Sequence, residues 1–374
     1  MRDDKWTDSF LDRYKQFGDH EGDEMMTKLE VQDCLDSVND ALQALTVNDQ
    51  ALPSDLPEDL KIFFDQTASL PAWADSNKIA LAQQFFTTHG PVFGVVLLCG
   101  SLPVLYAGGL GGAQVLAATG QLTNHYERRA GETLRFILDL MEPGGLASNG
   151  KGVRTAQKVR LMHAAIRYYA KKSPEAWPAK PEWGAPINQV ELVGTLLAFS
   201  TKALEGLEKM GVSVTETETE AYFHTWKVVG HLLGIQPEII PETVQSSKVL
   251  WDRIAATNFI RTDAGLTLAK AHVAFLKKVI PGELFDGIAL SLMRYLMGRK
   301  LVEEVLGLPK PGWTYLLLGF IRGLFGLKEL LMDSSRTIEQ IVQEDSIHFM
   351  EGLERHWTVN DSTPFRIPPS LTKK

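Results

Sequence analysis

The sequence predicts an all-α fold, and three observations carry that prediction. Nearly every segment repeats its apolar residues with the 3.6-residue period of a helix, and few runs alternate as strands do. Acidic and capping residues stand where helices would begin. Breakers rich in Pro and Gly fall between the periodic runs.

In chain order, residues 1–20 are charged and read as a loosely held arm, and the first helix begins near 22. PSDLPEDL (53–60) breaks the chain around a helix start near 57, and further starts follow near 77 and 91. Pro103 and the pair Gly108-Gly109 interrupt the next stretch before a start near 110. A helix from about 128 gives way to EPGGLASNGKG (142–152), and another begins near 153. SPEAWPAKPEWGAP (173–186) separates it from a helix near 188, where Asn188 precedes Glu191 in a capping-box pattern. TETETE (215–220) supplies carboxylates to the start near 217, where the helix dipole favours negative charge. Starts near 244, 264 and 282 follow. LGLPKPGW (306–313) precedes helices near 312 and 334, and STPFRIPPSLTKK reads as a second arm. No repeat, low-complexity tract or composition shift divides the chain. Residues 1–374 are therefore expected to form a single large helical domain with extended N- and C-terminal arms.

Hydrophobic residues make up 44% and charged residues 22%, a balance that supports a large core. The net charge of −8 leaves no basic excess to neutralise phosphates, so no nucleic-acid partner is expected. Basic residues cluster only briefly, in 151–172 and 294–300. Two cysteines, Cys34 and Cys99, exclude a disulfide framework, a thiolate metal site and the CxxCH of covalent haem attachment. Free thiols fit a reducing compartment, and MRDDKWTDSFLDRYKQ lacks the apolar core of a secretory signal, so the expected location is cytoplasmic.

From Ile79 to Tyr126, 48 residues pass without Lys, Arg, Asp or Glu. A membrane-spanning helix needs about 20 continuous apolar residues. The interruptions at Pro103 and Gly108-Gly109, with Gln83, Gln84 and Gln114 scattered through, read instead as a buried helix pair, and no integral membrane span is expected. The glycines would let a backbone or a flat ligand approach closely.

Several motifs are absent. There is no HExxH, no pair of ExxH motifs and no serine-hydrolase elbow. GGLGG (108–112) is not a dinucleotide or phosphate loop and reads as close packing at a turn. His224 and His231 are too far apart to share a metal and read as partly exposed or hydrogen-bonded. His348 reads as a surface residue, and His125 ends the apolar region. His163, in VRLMHAAIR (159–167), is harder to dismiss. Arg160 and Arg167 flank it at i−3 and i+4, and Val159, Met162, Ile166 and Tyr169 form the adjoining apolar stripe. Two cations would keep the imidazole neutral, as a metal ligand must be. An axial nitrogen, an apolar wall and two guanidiniums suit an iron porphyrin and its propionates. The same spacing also suits a structural histidine at a salt-bridged helix edge, and spacing alone leaves both readings open.

GDHEGDEMM (18–26), NHYERRAGETLRF (124–136), GKGVRTAQKVRLMHAAIR (150–167), WGAPINQVELVGTLLAFS (183–200) and EAYFHTWKVVGHLLG (220–234) stand in order. Together, over roughly residues 15–310, they resemble the latex-clearing-protein (rubber oxygenase) family, which includes the oxygenase of the mycophenolic acid pathway. The resemblance implies a globin-like helical core with additional surrounding helices around a non-covalent haem b. It implies that His163 is the axial iron ligand and that Arg160, Arg167 and, from a looser motif, Arg294 are propionate partners. On the oxygen-binding side it implies Arg129 and Thr133. Rubber-cleaving members carry Arg-x-x-Lys-Thr there, and this chain has Glu132 in place of the lysine. Their upstream glutamate base is missing too, since no acid occurs between Asp75 and Glu127. Glu132 is then a candidate for proton transfer, provided burial tunes it.

The expected function is a haem-dependent oxygenase acting with O2 on a small apolar substrate, isoprenoid or terpenoid-like, by oxidative C=C cleavage or a related oxygenation. The pocket is expected from residues 90–120 and 125–137, and the electron donor is left open. The alternative is a non-catalytic haem-binding sensor or carrier of the same fold.

Overall fold

A computed structural model describes residues 5–109, 111–118, 126–173, 177, 180, 182–279, 287–319 and 323. Among them every regular element is helical, and the one β-type pairing is an isolated bridge between Gly108 and Phe259. His125, His348, the helix expected near 334 and the C-terminal arm lie outside the described residues.

The fold is all-α, as the periodicity predicts, and most helix starts stand within about two residues of their sequence signals. Two cap signals are realised atom by atom. Asn188 accepts from the Val190 and Glu191 N–H groups, and Thr215 and Glu218 close a reciprocal capping box. Three helices were not anticipated. α1 (Asp8–Tyr14) lies within the stretch read as a loose arm. Thr7 caps it, Leu11 and Tyr14 are buried, and the chain beyond is tied by Ala185 N–H to the Lys15 carbonyl at 2.8 Å. α3 (Leu35–Ala44) starts at Cys34 with no side-chain cap to announce it. The third follows a break at Ser200, where two consecutive helices keep one apolar rhythm, so the period shows no boundary. Near 312 there is a 3-10 turn, Trp313–Leu317, in place of the expected helix.

Two cores organise the molecule. α2 (His20–Val31), α3 and α4 (Glu58–Gln66) gather Met26, Leu29, Leu42 and Phe64 in the smaller one. The larger one is built by α5 (Ser76–Thr88), α6 (Gly90–Ala107), α7 (Gly112–Ala118) and α8 (Tyr126–Met141), then by α10 (Gln189–Phe199) to α15 (Gly287–Met297). The intervening helices are α11 (Thr201–Lys209), α12 (Glu216–Leu232), α13 (Val244–Asn258) and α14 (Asp263–Val279). α9 (Gly152–Lys172) runs between the two cores. It gives Leu161, Ala164 and Ala165 to the smaller core and Ala156 and Val153 to the larger.

α6 is the apolar stretch that could mimic a membrane span. It is long and apolar enough by composition, with mean hydropathy 1.8 over 18 residues, yet 72% of that span is buried inside the fold. Its middle, Leu97–Ser101, widens into a π-helical turn, in which Leu102 N–H bonds the Leu97 carbonyl. Pro103 has no N–H to offer the Leu98 carbonyl in that register, so this acceptor is left for another part of the chain.

The start of α9 is capped from a distance. Asn48 Oδ1 accepts from Val153 and Arg154 N–H at 2.9 and 3.1 Å, while its Nδ2 donates to the Gly145 and Ala147 carbonyls. No local cap is present at Lys151, so a buried side chain about 100 residues upstream sets where α9 begins. Asn48→Ala should strand these groups and destabilise the fold by about 2–3 kcal/mol, read as a lower urea midpoint with an unchanged m-value.

Candidate functional site

The site is built on α9. Arg160, His163 and Arg167 lie near one another on the helix, but the guanidiniums turn toward α2. Arg160 donates through Nε and Nη2 to Asp19 at 2.5 and 2.7 Å, and its Nη2 also reaches Glu21 at 2.6 Å. Arg167 Nε donates to Asp23 at 2.5 Å, and its Nη1 reaches the Ile187 carbonyl at 3.4 Å. The GDHEGDE motif is thus the acidic counterpart of the RLMHAAIR motif. A Cβ on Gly18 would meet Arg167 Cδ at 2.4 Å. One on Gly234, whose φ is +76°, would meet the Asp19 carboxyl at 2.6 Å and Arg160 Nε at 2.7 Å. One guanidinium nitrogen, Arg167 Nη2, is buried with no partner.

His163 is half-buried, and its Nδ1 is buried with no hydrogen-bond partner. Burial first, then the charges of Arg167 and Arg129, push its pKa down to about 3, so the ring is neutral at pH 7. A neutral imidazole with an unused nitrogen is a competent iron ligand. Met162 and Ile166 continue the apolar wall beside it, joined by Val115, Trp177 and Ile187.

The second predicted motif is brought alongside. Arg129, on α8, comes within 3.9 Å of Met162 Sδ through Nη1, and the same nitrogen donates to Glu132 at 2.8 Å. Glu132 also accepts from Arg128 Nε at 2.9 Å, so it sits between two guanidiniums. Thr133 turns its hydroxyl back to the Arg129 carbonyl. Arg294 sits elsewhere, on α15, paired with Glu303 at 3.3 Å and lying over the Tyr315 ring. α15 packs mainly on the 97–101 π-helical turn, the 313–317 turn and residues 300–305, and none of these contacts joins Arg294 to His163. His224 is half-buried and accepts from Asp75 N–H at 2.9 Å, a structural histidine as its spacing suggested.

A cavity of 610 Å³ opens between α6, α11, α13 and α15, with Val96, Gly100, Lys202, Trp251 and Met297 in its wall. It draws on residues 90–120 as expected, but none of its lining comes from 125–137 or α9.

Sequence reasoning missed two groups. Glu191 was read only as part of a cap. Its carboxyl lies against Gly111, where a Cβ would stand 1.6 Å from Oε1, which is the packing reason for a glycine at 111. Oε2 is buried without a partner, and burial raises the pKa to about 8 against the lowering by nearby N–H groups of Asn188, Ile187 and Gly112. Ile187, whose carbonyl Arg167 touches, links it to the α9 wall. The other group, His272 with Tyr106 and Tyr126, is joined across 146 residues, and no local pattern marks it.

Comparison with known proteins gives consistent results. Residues 86–325 match the family described as the ER-bound oxygenase mpaB/B′/rubber oxygenase catalytic domain. The chain is 27% identical over 325 residues to the rubber oxygenase of Streptomyces sp. (strain K30), covering 83% of this chain and 77% of that one. The fold matches a solved structure of latex clearing protein LCP in the closed state with a TM-score of 0.73 at 24% identity, covering 89% of this chain and 90% of that one.

Glu191 generates a pH prediction. Its pKa rises from 4.5 in the unfolded chain to about 8 in the fold, so its contribution is fully present below pH 4.5 and lost as pH rises to 8. Glu191→Gln should therefore flatten stability across that window and stabilise the protein at pH 8 or above by on the order of a few kcal/mol, read from thermal unfolding against pH.

Proposed function

The chain belongs to the mpaB/rubber oxygenase catalytic-domain family, and from that premise we propose that it is a haem b-dependent oxygenase acting with O2 on an apolar, isoprenoid- or terpenoid-like substrate. The observation that carries the haem reading is His163, a neutral imidazole inside the fold with a buried nitrogen that no protein group satisfies. The surrounding donors fit the group. Arg167 keeps Nη2 free for a propionate, and Met162 and Ile166 offer a flat ring apolar contact. Arg160 is the further propionate partner, sharing its guanidinium with Asp19 and Glu21, whereas Arg294, on α15, pairs with Glu303 and takes no part in this reading. Haem iron bound at His163 would supply the activation of dioxygen.

The chain's own groups then orient and move protons. Arg129 presents its guanidinium toward Met162, the neighbour of His163, and Glu132 holds it there. Glu132 accepts from both Arg128 and Arg129, so in this arrangement its first role is to aim Arg129. Glu191 holds a proton near neutrality and provides a second carboxyl where the upstream base of the rubber-cleaving pattern is missing. The apolar residues of α6 and α8 exclude water and favour a substrate with little polar surface.

Purified protein should be red, with a Soret band that His163→Ala abolishes while the far-UV helix signal is kept. A colourless, fully folded protein sinks the haem reading. Oxygen uptake with squalene or a polyisoprene oligomer separates an oxygenase from a haem-binding sensor or carrier, which would show the Soret band and no turnover. Glu132→Gln and Glu191→Gln should each lower turnover by about 10²-fold if they move protons, and unchanged rates for both would remove that role.

A further inference from the structure

Behind the α8 motif three buried side chains form a closed hydrogen-bonded chain. The hydroxyls of Tyr106 and Tyr126 are 2.5 Å apart, Tyr126 is 2.5 Å from His272 Nδ1, and His272 Nε2 is 2.7 Å from the Leu98 carbonyl. All three residues are buried, and Phe275 packs against the rings of both Tyr126 and His272.

The direction of the chain follows from its far end. A carbonyl only accepts, so Nε2 carries the imidazole proton and Nδ1 is bare. The Leu98 carbonyl is open to His272 because of the π-helical turn and Pro103. Burial holds His272 neutral, its pKa pushed down to about 4. Tyr126 must then donate to Nδ1, and its oxygen accepts from the Tyr106 hydroxyl. The chain also adjoins the candidate site. Tyr126 is three residues before Arg129 and seven before Thr133, on one face of α8, and the Arg129 charge is felt at the Tyr106 hydroxyl.

A buried phenol loses an electron readily only if its proton can leave in the same event. Tyr126 has a neutral base at hydrogen-bond distance to receive that proton, and a second hydroxyl already donates to the oxygen that would be left behind. We propose that Tyr126 is a one-electron redox site, with His272 as its proton acceptor and Tyr106 as the donor that stabilises the oxidised form. Tyr126 passes one electron to haem that a peroxide has oxidised, and the haem is reduced by one electron in turn. Its O–H breaks, the proton moves to His272 Nδ1, and an imidazolium faces a phenoxyl radical. Reduction by an external thiol or ascorbate returns the electron, and the proton crosses back. The site would quench oxidising equivalents formed when no substrate is bound.

This reading rests on the proposed oxygenase only for the source of the oxidant, and the test keeps the two apart. Full-length protein is mixed with hydrogen peroxide where it carries haem, or flashed with a ruthenium photo-oxidant where it does not, then frozen for electron paramagnetic resonance. A tyrosyl signal is expected in both cases, coupled to exchangeable protons that vanish in D2O. Tyr126→Phe should abolish it, and His272→Leu, which removes the proton acceptor, should lower its yield about ten-fold or more. A wild-type protein with no tyrosyl signal, or one whose signal has no exchangeable coupling, overturns the proposal whether or not the variants fold. So does a full signal in Tyr126→Phe. A colourless protein that still gives the coupled signal overturns the haem reading and leaves this one standing.

Discussion

The buried ion pairs of Arg160 with Asp19 and of Arg167 with Asp23 bind α2 to α9, and the setting of His163 depends on them. Moving such charges from water into a protein interior is expensive, and close, multiply hydrogen-bonded geometry is what offsets it. Arg160 meets that condition with three charge-assisted bonds to two carboxylates, beside a backbone that has no room for a side chain at Gly234, as Gly18 leaves none beside Arg167. Gln189 ties the same place together, donating to the Gly18 and Gly234 carbonyls and accepting from Gln236 N–H. With both guanidiniums held on the α2 side, His163 keeps Met162 and Ile166 of its own helix as apolar neighbours.

Burial sets the chemistry of that interior with one sign throughout. It lowers His163 to about 3 and His272 to about 4, and it raises Glu191 to about 8. Each is shifted toward its neutral form, as burial in a low-dielectric interior requires of a group without an ion-pair partner, while the guanidiniums of Arg129, Arg160 and Arg167 are held in ion pairs on α8 and α9. Low dielectric also strengthens the short hydrogen bonds of the Tyr106–Tyr126–His272 chain, because no water competes for them.

α6 shows how a single helix can serve packing and polarity together. Its composition would allow it to cross a membrane, yet most of it is covered by other helices. The π-helical turn and Pro103 break its hydrogen-bond ladder at one place, and the freed Leu98 carbonyl orients His272. The glycine pair at its end permits the approach of Phe259 and Ile260, with Ile260 N–H bonding the Ala107 carbonyl at 3.1 Å.

The helical class, most helix starts and the family motifs are legible in the sequence because they are local: a period of 3.6, a cap or a breaker shows within a few residues. His163 and its flanking arginines were legible for the same reason, lying within two turns of one helix. What the arginines hold was not, since Asp19, Glu21 and Asp23 come from about 140 residues away. The loose N-terminal arm was misjudged because its anchors, Ala185 and Gln189, are equally remote. Glu191 reads from the sequence as a cap residue after Asn188, and no local pattern marks His272. Contacts between remote segments make Glu191 a buried acid against Gly111 and His272 the end of a directed chain. The physical reason is that burial and partner choice depend on which distant segments close over a side chain, and helical periodicity shows only which face is covered.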